Sequence, residues 1–376
     1  MITVCTEDMC TGCMACVDMC PTDAISIQDS LSSYNAIIDE DKCIECNKCR
    51  KVCQVATPDD IIFRTPVNCL QGWAENIDVR MSSSSGGIAA AVSRGFVEKG
   101  GCVCSCTFRD GVFCFDIADD IQGLKAFAGS KYVKSNPSGM YGKIEAKLKS
   151  GIPVLLIALP CQIAAARKLF QKRYDELFYT IDLICHGTPS PEILSMFLEQ
   201  HGYGINKLKS IYFRKKTSFA LYENKKEITP SRVADSYTFA FLRSLDYTDN
   251  CYSCKYARLE RVSDLTIGDA WGNTYEASEQ NKGVSLILSM TDKGRYLLEC
   301  ADLHLEEANL EIAVNSNHQL KHPSIAPIER DKFMNLMDHN GNFEKAISKC
   351  YPKFYHKQKI KLILSKLGMF GGGGQT

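Results

Sequence analysis

Residues 152–170, IPVLLIALPCQIAAARKLF, join a short apolar run to a segment of helical composition. A continuous apolar run of this length is typical of a buried strand. A second run, LFYTIDLI at residues 177–184, ends at Cys185 and precedes another helix-like segment, TPSPEILSMFLEQHG at residues 188–202. Because strands that alternate with helices pair in parallel, these residues predict an α/β architecture with two adjacent parallel strands.

Cysteines stand where both predicted strands end. We expect Pro160 to end the first strand without loss of a ladder hydrogen bond. Cys161 and Cys185 should then lie side by side at the carboxyl edge, where such sheets bind ligands. Two more cysteines, Cys251 and Cys254, form a C-x2-C pair further along the chain. These four thiols are enough to ligate a [4Fe–4S] cluster, which is the cofactor that we predict there.

Two other interpretations of this sheet edge stay open. A zinc site would use the same C-x2-C spacing, and Cys161 would alternatively serve as a catalytic thiol. The surrounding sequence ALPCQIA contains no charged group to lower the pKa of that thiol, which favours the ligand. We predict that His186 is a core histidine or supports a ligand from outside, rather than being a ligand itself.

The N-terminal region contains an internal repeat of cysteines. CTGCMACVDMCP and CIECNKCRKVCQ share the spacing C-x2-C-x2-C-x3-C, and Gln54 stands where the second copy would have a proline. In ferredoxins of this spacing, the fourth cysteine of each copy ligates the other cluster. The repeat therefore predicts two [4Fe–4S] clusters, with a pair of zinc sites as the alternative. One predicted ligand set is Cys10, Cys13, Cys16 and Cys53, and the other is Cys43, Cys46, Cys49 and Cys20.

Composition limits the classes of function and the location. The 376 residues carry no net charge and so favour neither nucleic acid nor a membrane, although residues 1–60 carry 11 acidic and 4 basic residues. The start, MITVCTEDMC, lacks the features of a signal peptide, and no apolar run reaches the length of a membrane span. We therefore predict a cytoplasmic protein in which many of the 20 cysteines hold metal.

A segment rich in serine and glycine precedes another predicted helix. RMSSSSGGIAAAVSRGFVEKG occupies residues 80–100, and we predict the helix over residues 88–97. Ser85, Gly86 and Gly87 at its start offer hydroxyl and amide donors that suit an anion such as pyrophosphate. A flexible loop with an ordinary helix cap is the alternative. No G-x-G-x-x-G fingerprint occurs in the chain, so a standard dinucleotide fold is not predicted.

Several phrases, in this order, carry a resemblance to a known family: SSSSGG, GSKYVKS, LPCQIAAARKLF, DLICHGTPSP, CKYARLERVSDLTIGDAWG and GVSLILSM. Over about residues 67–330 they together resemble the family of coenzyme F-420 (deazaflavin) hydrogenase/dehydrogenase beta subunits. The preceding segment is similar to the two-cluster ferredoxin domain that many members carry. The resemblance implies that the chain binds FAD and a [4Fe–4S] cluster and passes electrons between iron–sulfur centres and a two-electron donor or acceptor.

The resemblance also implies candidate flavin contacts and partners. The phrases SSSSGG and GSKYVKS imply contacts from Ser84, Ser85, Gly86, Gly87, Ser130, Lys131 and Tyr132. Four residues in phrases expected to border the flavin are Lys255, Arg258, Arg261 and Asp269. Structural salt bridges are the alternative for each of these four. The implied partners are a ferredoxin or another redox protein, and deazaflavin or another organic substrate.

The chain divides into three predicted segments. We predict a ferredoxin-like domain at residues 1–57, a mixed α/β flavin and iron–sulfur domain at 58–335, and a basic C-terminal segment with a disordered glycine tail at 336–376. Pro352 is expected to split the basic segment into two helices, docked on the body with a solvated lysine face. Contact with an anionic membrane surface or an acidic partner is the alternative.

These features predict an iron–sulfur flavoprotein oxidoreductase of α/β (α+β overall) architecture with three [4Fe–4S] clusters and FAD. The clusters carry single electrons, and the flavin exchanges hydride with deazaflavin or another organic substrate. One alternative is an electron-transfer subunit that docks on a partner enzyme and has no substrate of its own. A zinc-binding interaction module is another, and a colourless protein would support it. The sequence assigns no catalytic residue.

Overall fold

The computed structural model describes residues 2–6, 8–223, 226–230 and 233–367, and the predicted glycine tail lies outside these residues. In the described ranges the strands are β1 Ile2–Thr3, β2 Ile25–Asp29, β3 Tyr34–Ile38, β4 Asn68–Ala74, β5 Cys102–Arg109, β6 Val112–Ala118, β7 Val154–Ala158, β8 Phe178–Leu183, β9 Ile211–Lys215, β10 Ser218–Glu223, β11 Lys226–Glu227, β12 Leu265–Asp269, β13 Ser285–Ser289 and β14 Leu303–Glu307. The α-helices are α1 Ala15–Asp18, α2 Lys48–Val52, α3 Ile77–Ser82, α4 Ile88–Glu98, α5 Ile121–Leu124, α6 Met140–Lys149, α7 Pro160–Tyr174, α8 Pro191–Gln200, α9 Ser236–Leu242, α10 Ala277–Lys282, α11 Asp292–Glu299, α12 Leu310–Ser316, α13 Arg330–Asn340, α14 Phe343–Cys350 and α15 Pro352–Lys366.

The two cysteine motifs of the N-terminal domain share a backbone conformation as well as a sequence spacing. Its antiparallel sheet has the strand order β1-β3-β2, and the short helices α1 and α2 contact each other. A residue with left-handed backbone precedes each of these helices, namely Met14 with φ 56° and Asn47 with φ 58°. These two residues hold the same position in the two cysteine motifs, directly after Cys13 and Cys46. The two motifs therefore form loops of the same hand, each leading into a short helix.

The main sheet contains the predicted parallel pair at its centre. Its strand order is β14-β4-β13-β12-β8-β7-β5-β6, in which β12, β8, β7 and β5 run parallel and the other neighbours pair antiparallel. β7 pairs with β8 in the register Leu155↔Tyr179. Every residue of β7 is buried, which explains its continuous apolar sequence. The predicted mixed α/β fold is confirmed.

Helices cover both faces of this sheet. α4 and α11 pack on one face, where Ile88 and Leu297 are buried among strand residues. α6 and α7 pack on the other face, where Ile144 and Ile163 are buried. None of the helices in the described ranges is long and apolar enough to cross a membrane. The sheet is thus a covered central layer whose strand ends remain available for a site.

A second core forms around the small antiparallel sheet β11-β10-β9. Helices α8, α9, α13 and α14 bury apolar side chains against it, including Phe213, Phe333 and Phe343. α13 runs across the predicted domain boundary at residues 335/336. The first part of the basic C-terminal segment is therefore built into this core.

The last helix lies on the outside of that core. α15 begins at Pro352, directly after the end of α14, so the predicted division into two helices is confirmed. Phe354 stacks on Phe239 of α9 with ring centroids 3.6 Å apart, which docks the helix on the body. Ile360 and Ile363 remain 59% and 57% exposed. Membrane contact through this face stays a prediction.

The expectation that Pro160 ends a strand is wrong in detail. β7 ends at Ala158, and Pro160 is the first residue of α7. Proline suits this position because its ring fixes a helical φ and a first-turn residue needs no amide donor. The side chain of Gln162 accepts a hydrogen bond from the Leu159 amide at 3.1 Å and closes the turn. Cys161 is therefore held on the first turn of a helix.

Candidate functional site

Four cysteines from three separate segments line one cavity at the carboxyl edge of the sheet. Cys161 lies in the first turn of α7, Cys185 follows β8, and Cys251 and Cys254 belong to the segment between α9 and β12. The cavity has a volume of about 240 Å³, and all four residues line it. The structure thus brings together the ligand set that we predicted for a third cluster.

Burial controls the acidity of these thiols. It raises the pKa of Cys161 well above the ordinary value and that of Cys185 to about 12, and neighbouring thiols act in the same direction. Such thiols stay protonated at neutral pH until a metal displaces the proton. A nucleophilic cysteine needs the opposite shift, so this environment favours a ligand over a catalytic thiol at Cys161.

The first N-terminal ligand set converges on a cavity of its own. Cys10, Cys13, Cys16 and Cys53 line this cavity together with Cys5. The thiol of Cys5 lies within hydrogen-bonding distance of Cys10 and Cys53 and lowers the pKa of each to about 6. Cys5 lies outside the C-x2-C repeat, so the spacing gives no signal for its position at the site.

The second N-terminal ligand set lies closer to solvent. Cys46 is exposed, and Cys43 and Cys49 are half-buried. Burial, and then the charges of Cys43 and Cys46, raise the pKa of Cys49. Cys20 packs with Cys49 against the small core of this domain. Within the described residues, no three thiol, imidazole or carboxylate groups are arranged to hold a single metal ion.

One layer of side chains separates the first N-terminal cavity from the cavity of Cys161. Thr11, Gln54 and Val55 line both cavities. Gln54 is fully buried, and its amide donates to the Thr11 hydroxyl at 2.9 Å while its side-chain oxygen accepts from the Tyr256 hydroxyl. The residue that replaces the expected proline therefore joins the N-terminal domain to the body at the wall between two candidate cluster sites.

Lys255 and Arg261, two of the residues predicted to border a flavin, line the cavity of Cys161, and the flavin contacts stay a prediction. Lys255 lines the larger cavity and donates to the backbone oxygen of Gln54 at 2.6 Å. Arg261 is buried and pairs with the buried Asp182 at 3.1 Å. Arg258 is 46% exposed and pairs with Glu260 at 2.8 Å. Arg258 and Arg261 thus form the salt bridges that we gave as the alternative.

The remaining flavin candidates lie close together near the start of α4. The Ser130 amide donates to the Ser84 hydroxyl at 3.0 Å, which joins the two phrases that carried the resemblance. Gly87 caps α4 with φ 88° and provides no side-chain hydrogen bond to the first turn. Lys131 donates to the backbone oxygen of Phe127 at 2.8 Å, so its ammonium is engaged within its own segment.

Arg214 connects Tyr132 and Asp269 in this region. Its guanidinium binds the two carboxylate oxygens of Asp269 at 2.6 and 3.0 Å. It also lies within hydrogen-bonding reach of the Tyr132 hydroxyl, and the Tyr132 ring stacks on Phe241 with centroids 4.5 Å apart. The phrases that carried the resemblance contain Tyr132 and Asp269, whereas Arg214 stands in a β-strand outside them and was missed for that reason.

Lys216 is a second cation that the sequence did not single out. Its ammonium donates to the backbone oxygen of Ser85 at 3.0 Å and to that of Arg80. Burial, together with the charges of Arg80 and Arg214, lowers the pKa of Lys216 to about 8. A nearby anion would stabilise the charged form of Lys216, which burial and the neighbouring arginines disfavour. Lys216 and the uncapped start of α4 are therefore suited to binding a phosphate group.

Gly86 is constrained by the protein backbone itself. A Cβ atom there would lie 2.5 Å from the Gly72 oxygen, and the Gly86 amide already donates to the Ser285 hydroxyl at 3.0 Å. We expect Gly86→Ala to lower the free energy of unfolding by about 1–3 kcal/mol through overpacking, measured by urea unfolding. Gly142→Ala is the matched control, since its Cβ would meet nothing within 4 Å and α6 should gain up to about 1 kcal/mol. Equal effects of the two substitutions would contradict the packing argument.

His186 lines the larger cavity beside the candidate ligands, and its side chain is exposed. Partial desolvation, with the charge of His318, lowers its pKa to about 4. The Gln319 amide lies 2.6 Å from the Nδ1 atom of His186 and 2.6 Å from the Nε2 atom of His318. His186 is therefore a hydrogen-bonded histidine at the edge of the cavity, and its support of a ligand from outside stays a prediction.

Two converging sets of cysteines, joined by a common wall, define an iron–sulfur electron-transfer protein. Residues 9–57 match the 4Fe-4S dicluster domain. Residues 153–312 match the family model that describes the C terminus of the beta subunit of coenzyme F420 hydrogenase/dehydrogenase. Residues 153–312 thus resemble the C-terminal domain of that beta subunit, and the predicted resemblance is confirmed over these residues.

Individual proteins are similar to parts of this chain. The F subunit of F(420)H(2) dehydrogenase from Methanosarcina mazei is 20% identical over 298 residues, covering 73% of this chain and 80% of the relative. A ferredoxin of Methanothermococcus thermolithotrophicus is 57% identical over 28 residues, which is 7% of this chain and 47% of the ferredoxin. A chain of the F420-reducing [NiFe] hydrogenase complex from Methanosarcina barkeri, solved after xenon derivatization, is 17% identical with a TM-score of 0.47, covering 69% of this chain and 91% of its own.

Proposed function

We propose that the protein is an iron–sulfur flavoprotein oxidoreductase in which three [4Fe–4S] clusters exchange electrons with FAD. The observation that carries the proposal is the convergence of Cys161, Cys185, Cys251 and Cys254 on one cavity that shares a wall with the cavity of the first N-terminal ligand set. Four thiols around one space fit the ligand requirement of a [4Fe–4S] cluster.

The order of the three sites follows from which of them adjoin. Cys49 and Cys20 pack in the same small core as Cys16 and Cys53, and the cavity of the Cys10 set shares a wall with the cavity of Cys161. The Cys10 set therefore adjoins both of the other sets. We infer a series that runs from the exposed Cys46 set, through the Cys10 set, to the Cys161 cavity.

The flavin part of the proposal rests on the residues around the start of α4. Ser84 and Ser130 shape the loop, and Lys216 supplies a cation beside the uncapped helix start. These groups fit the pyrophosphate of FAD, because backbone amides and a half-buried ammonium both stabilise negative charge. When bound, FAD couples single-electron transfer to hydride transfer. His186 lines the cysteine cavity, and the Arg214–Asp269 pair lies within electrostatic reach of His186.

An electron-transfer subunit that docks on a partner enzyme is the second candidate. Ile325 and Ile328 are 78% and 95% exposed, and they follow Pro323, which lines the cavity of Cys161. Exposed apolar side chains beside a redox site suit a docking surface. The Methanosarcina mazei relative is by its name one subunit of a dehydrogenase, which agrees with such a role. Deazaflavin, another organic substrate or a ferredoxin is the partner class that we propose.

Anaerobic purification with metal and flavin analysis tests the proposal. We expect a brown protein with about twelve irons per chain, four for each cluster, and one FAD. Tightly bound zinc in a colourless protein would overturn the cluster assignment. Full iron content without FAD, in cells able to make flavins, would leave the docking subunit as the function.

A further inference from the structure

Lys134 is a buried lysine with an unusual set of partners. It is 4% exposed and lines the cavity of Cys161. Its ammonium donates to the backbone oxygen of Thr11 at 3.3 Å and to the Asn250 side-chain oxygen at 3.4 Å. Both acceptors are neutral, and no ion pair joins Lys134 to a carboxylate in the part of the chain that the structure describes.

A buried ammonium without an anion costs free energy, because desolvation of the charge is not offset by a charged partner. Lys168 is a comparable lysine in the same protein that does have an anionic neighbour. Its side chain is also 4% exposed, but the Asp60 carboxylate lies 3.6 Å from its nitrogen. Within the described residues, Lys134 therefore has no anionic partner. We expect the bound cofactors to provide the negative charge that balances it.

The two acceptors indicate where that charge comes from. Thr11 follows Cys10 in the first N-terminal ligand set, and Asn250 precedes Cys251 in the set of the larger cavity. The ammonium thus links the two ligand loops across the wall between the cavities. Four thiolates around a [4Fe–4S] core leave a net negative charge at each site, and reduction adds one more.

The position of Lys134 relative to the cysteines agrees with this source of charge. Lys134 lines the larger cavity together with Cys161 and Cys185. Its hydrogen bond to the Thr11 oxygen holds the ammonium beside the loop of Cys10, which lines the other cavity. Lys134 therefore lies next to candidate ligands of two different sites.

We propose that Lys134 is a counter-ion shared by the Cys10 site and the Cys161 site and that it raises the reduction potential of both. This assignment rests on the proposed function. A fixed ammonium beside both sites would favour the reduced state at each of them. The two potentials would therefore shift in the same direction when the charge is removed.

Redox titration of the iron-loaded full chain, followed by electron paramagnetic resonance, tests the assignment. Lys134→Met keeps the length of the side chain and removes its charge. At a fixed potential we expect the ratio of reduced to oxidised cluster to fall by about tenfold or more at both sites, where tenfold equals 59 mV for one electron. The Cys43, Cys46, Cys49 and Cys20 site should keep its potential. Lys134→Arg should restore both shifted potentials, because it restores the charge.

Lys293→Met is the matched control. The Lys293 ammonium donates to the Phe178 oxygen at 3.0 Å, at the start of β8, whereas Cys185 follows the other end of that strand. The Lys293→Met variant should therefore keep the reduction potentials of all three clusters unchanged. If Lys134→Met instead loses iron from the two sites alone and Lys134→Arg regains it, the counter-ion role is supported by that rescue.

Two outcomes separate this assignment from the proposed function. A wild-type protein without iron–sulfur clusters would overturn both. A wild-type protein with full iron, combined with unchanged potentials in Lys134→Met, would overturn only the role of Lys134. A shift at one site without the other would also overturn the shared role.

Discussion

Replacing Cys161 or Cys185 with serine is expected to lower the iron content from about twelve to about eight per chain, since one four-iron cluster is lost. Cys161 lies in the first turn of α7, Cys185 follows β8, and both line the same cavity, so either substitution removes a ligand from the same site. Both variants should keep the signals of the two N-terminal clusters, whose cysteines line a separate cavity or lie near solvent. Iron analysis and electron paramagnetic resonance on anaerobic protein measure the loss.

The same pair of variants shows whether Cys161 acts as a metal ligand or as a nucleophile. Electron flow from the N-terminal clusters to a flavin should stop in both, whereas a small chemical donor should still reduce the flavin directly. Cys300→Ser is the control, because Cys300 is a half-buried free cysteine that lines neither cavity. If Cys161→Ser keeps all its iron and loses only substrate turnover, the thiol takes part in the chemistry and the assignment is wrong.

The second large effect is expected at the buried pair of Arg261 and Asp182. Arg261 binds the Asp182 carboxylate at 3.1 Å, the Tyr256 oxygen at 2.8 Å and the Leu183 oxygen at 3.1 Å. It thereby ties the segment after Cys254 to the end of β8. Arg261→Met leaves a buried carboxylate without its cation, which should lower the free energy of unfolding by about 3–5 kcal/mol. Anaerobic urea unfolding followed by circular dichroism measures the change.

The pH dependence of this loss has a defined sign. Burial raises the pKa of Asp182, and Arg261 opposes the rise, so removal of Arg261 should raise that pKa further. A carboxyl whose folded-state pKa exceeds its unfolded value destabilises the fold increasingly as the pH rises above the unfolded value of about 3.9. Relative to the wild type, the loss in Arg261→Met should therefore grow as the pH rises above the raised pKa that Asp182 has in the wild-type fold, and it should be smaller below that pKa.

Arg258→Met provides the matched control for the buried pair. Arg258 belongs to the same segment, but its side chain is 46% exposed and its partner Glu260 is 38% exposed. Exposed pairs contribute about 0–1 kcal/mol, so this variant should unfold almost as the wild type does. Losses of similar size in the two variants would contradict the structural role that we assign to Arg261.

Local spacing in the sequence was enough to predict the N-terminal ligand sets and the central strand pair of this protein. The C-x2-C-x2-C-x3-C motif places its thiols within one turn of loop and helix, so its repetition was enough to predict two ligand sets without tertiary information. The apolar runs ending near Cys161 and Cys185 likewise predicted a parallel pair, because such runs have few other stable arrangements. The resemblance added candidate flavin contacts that spacing alone did not supply.

Only the tertiary structure decided which distant groups meet. Cys5 and Lys216 have no local signature, because the sequence around a single cysteine or lysine does not show where its side chain will lie. Lys134 stands in the phrase GSKYVKS, but the sequence does not show that its ammonium binds both Thr11 and Asn250. The role of Arg261 also depended on the fold, since its partner Asp182 lies on a strand far away in the sequence. Burial and charge act through space, so the counter-ions and the wall between the sites emerge only when the N-terminal domain packs on the sheet edge.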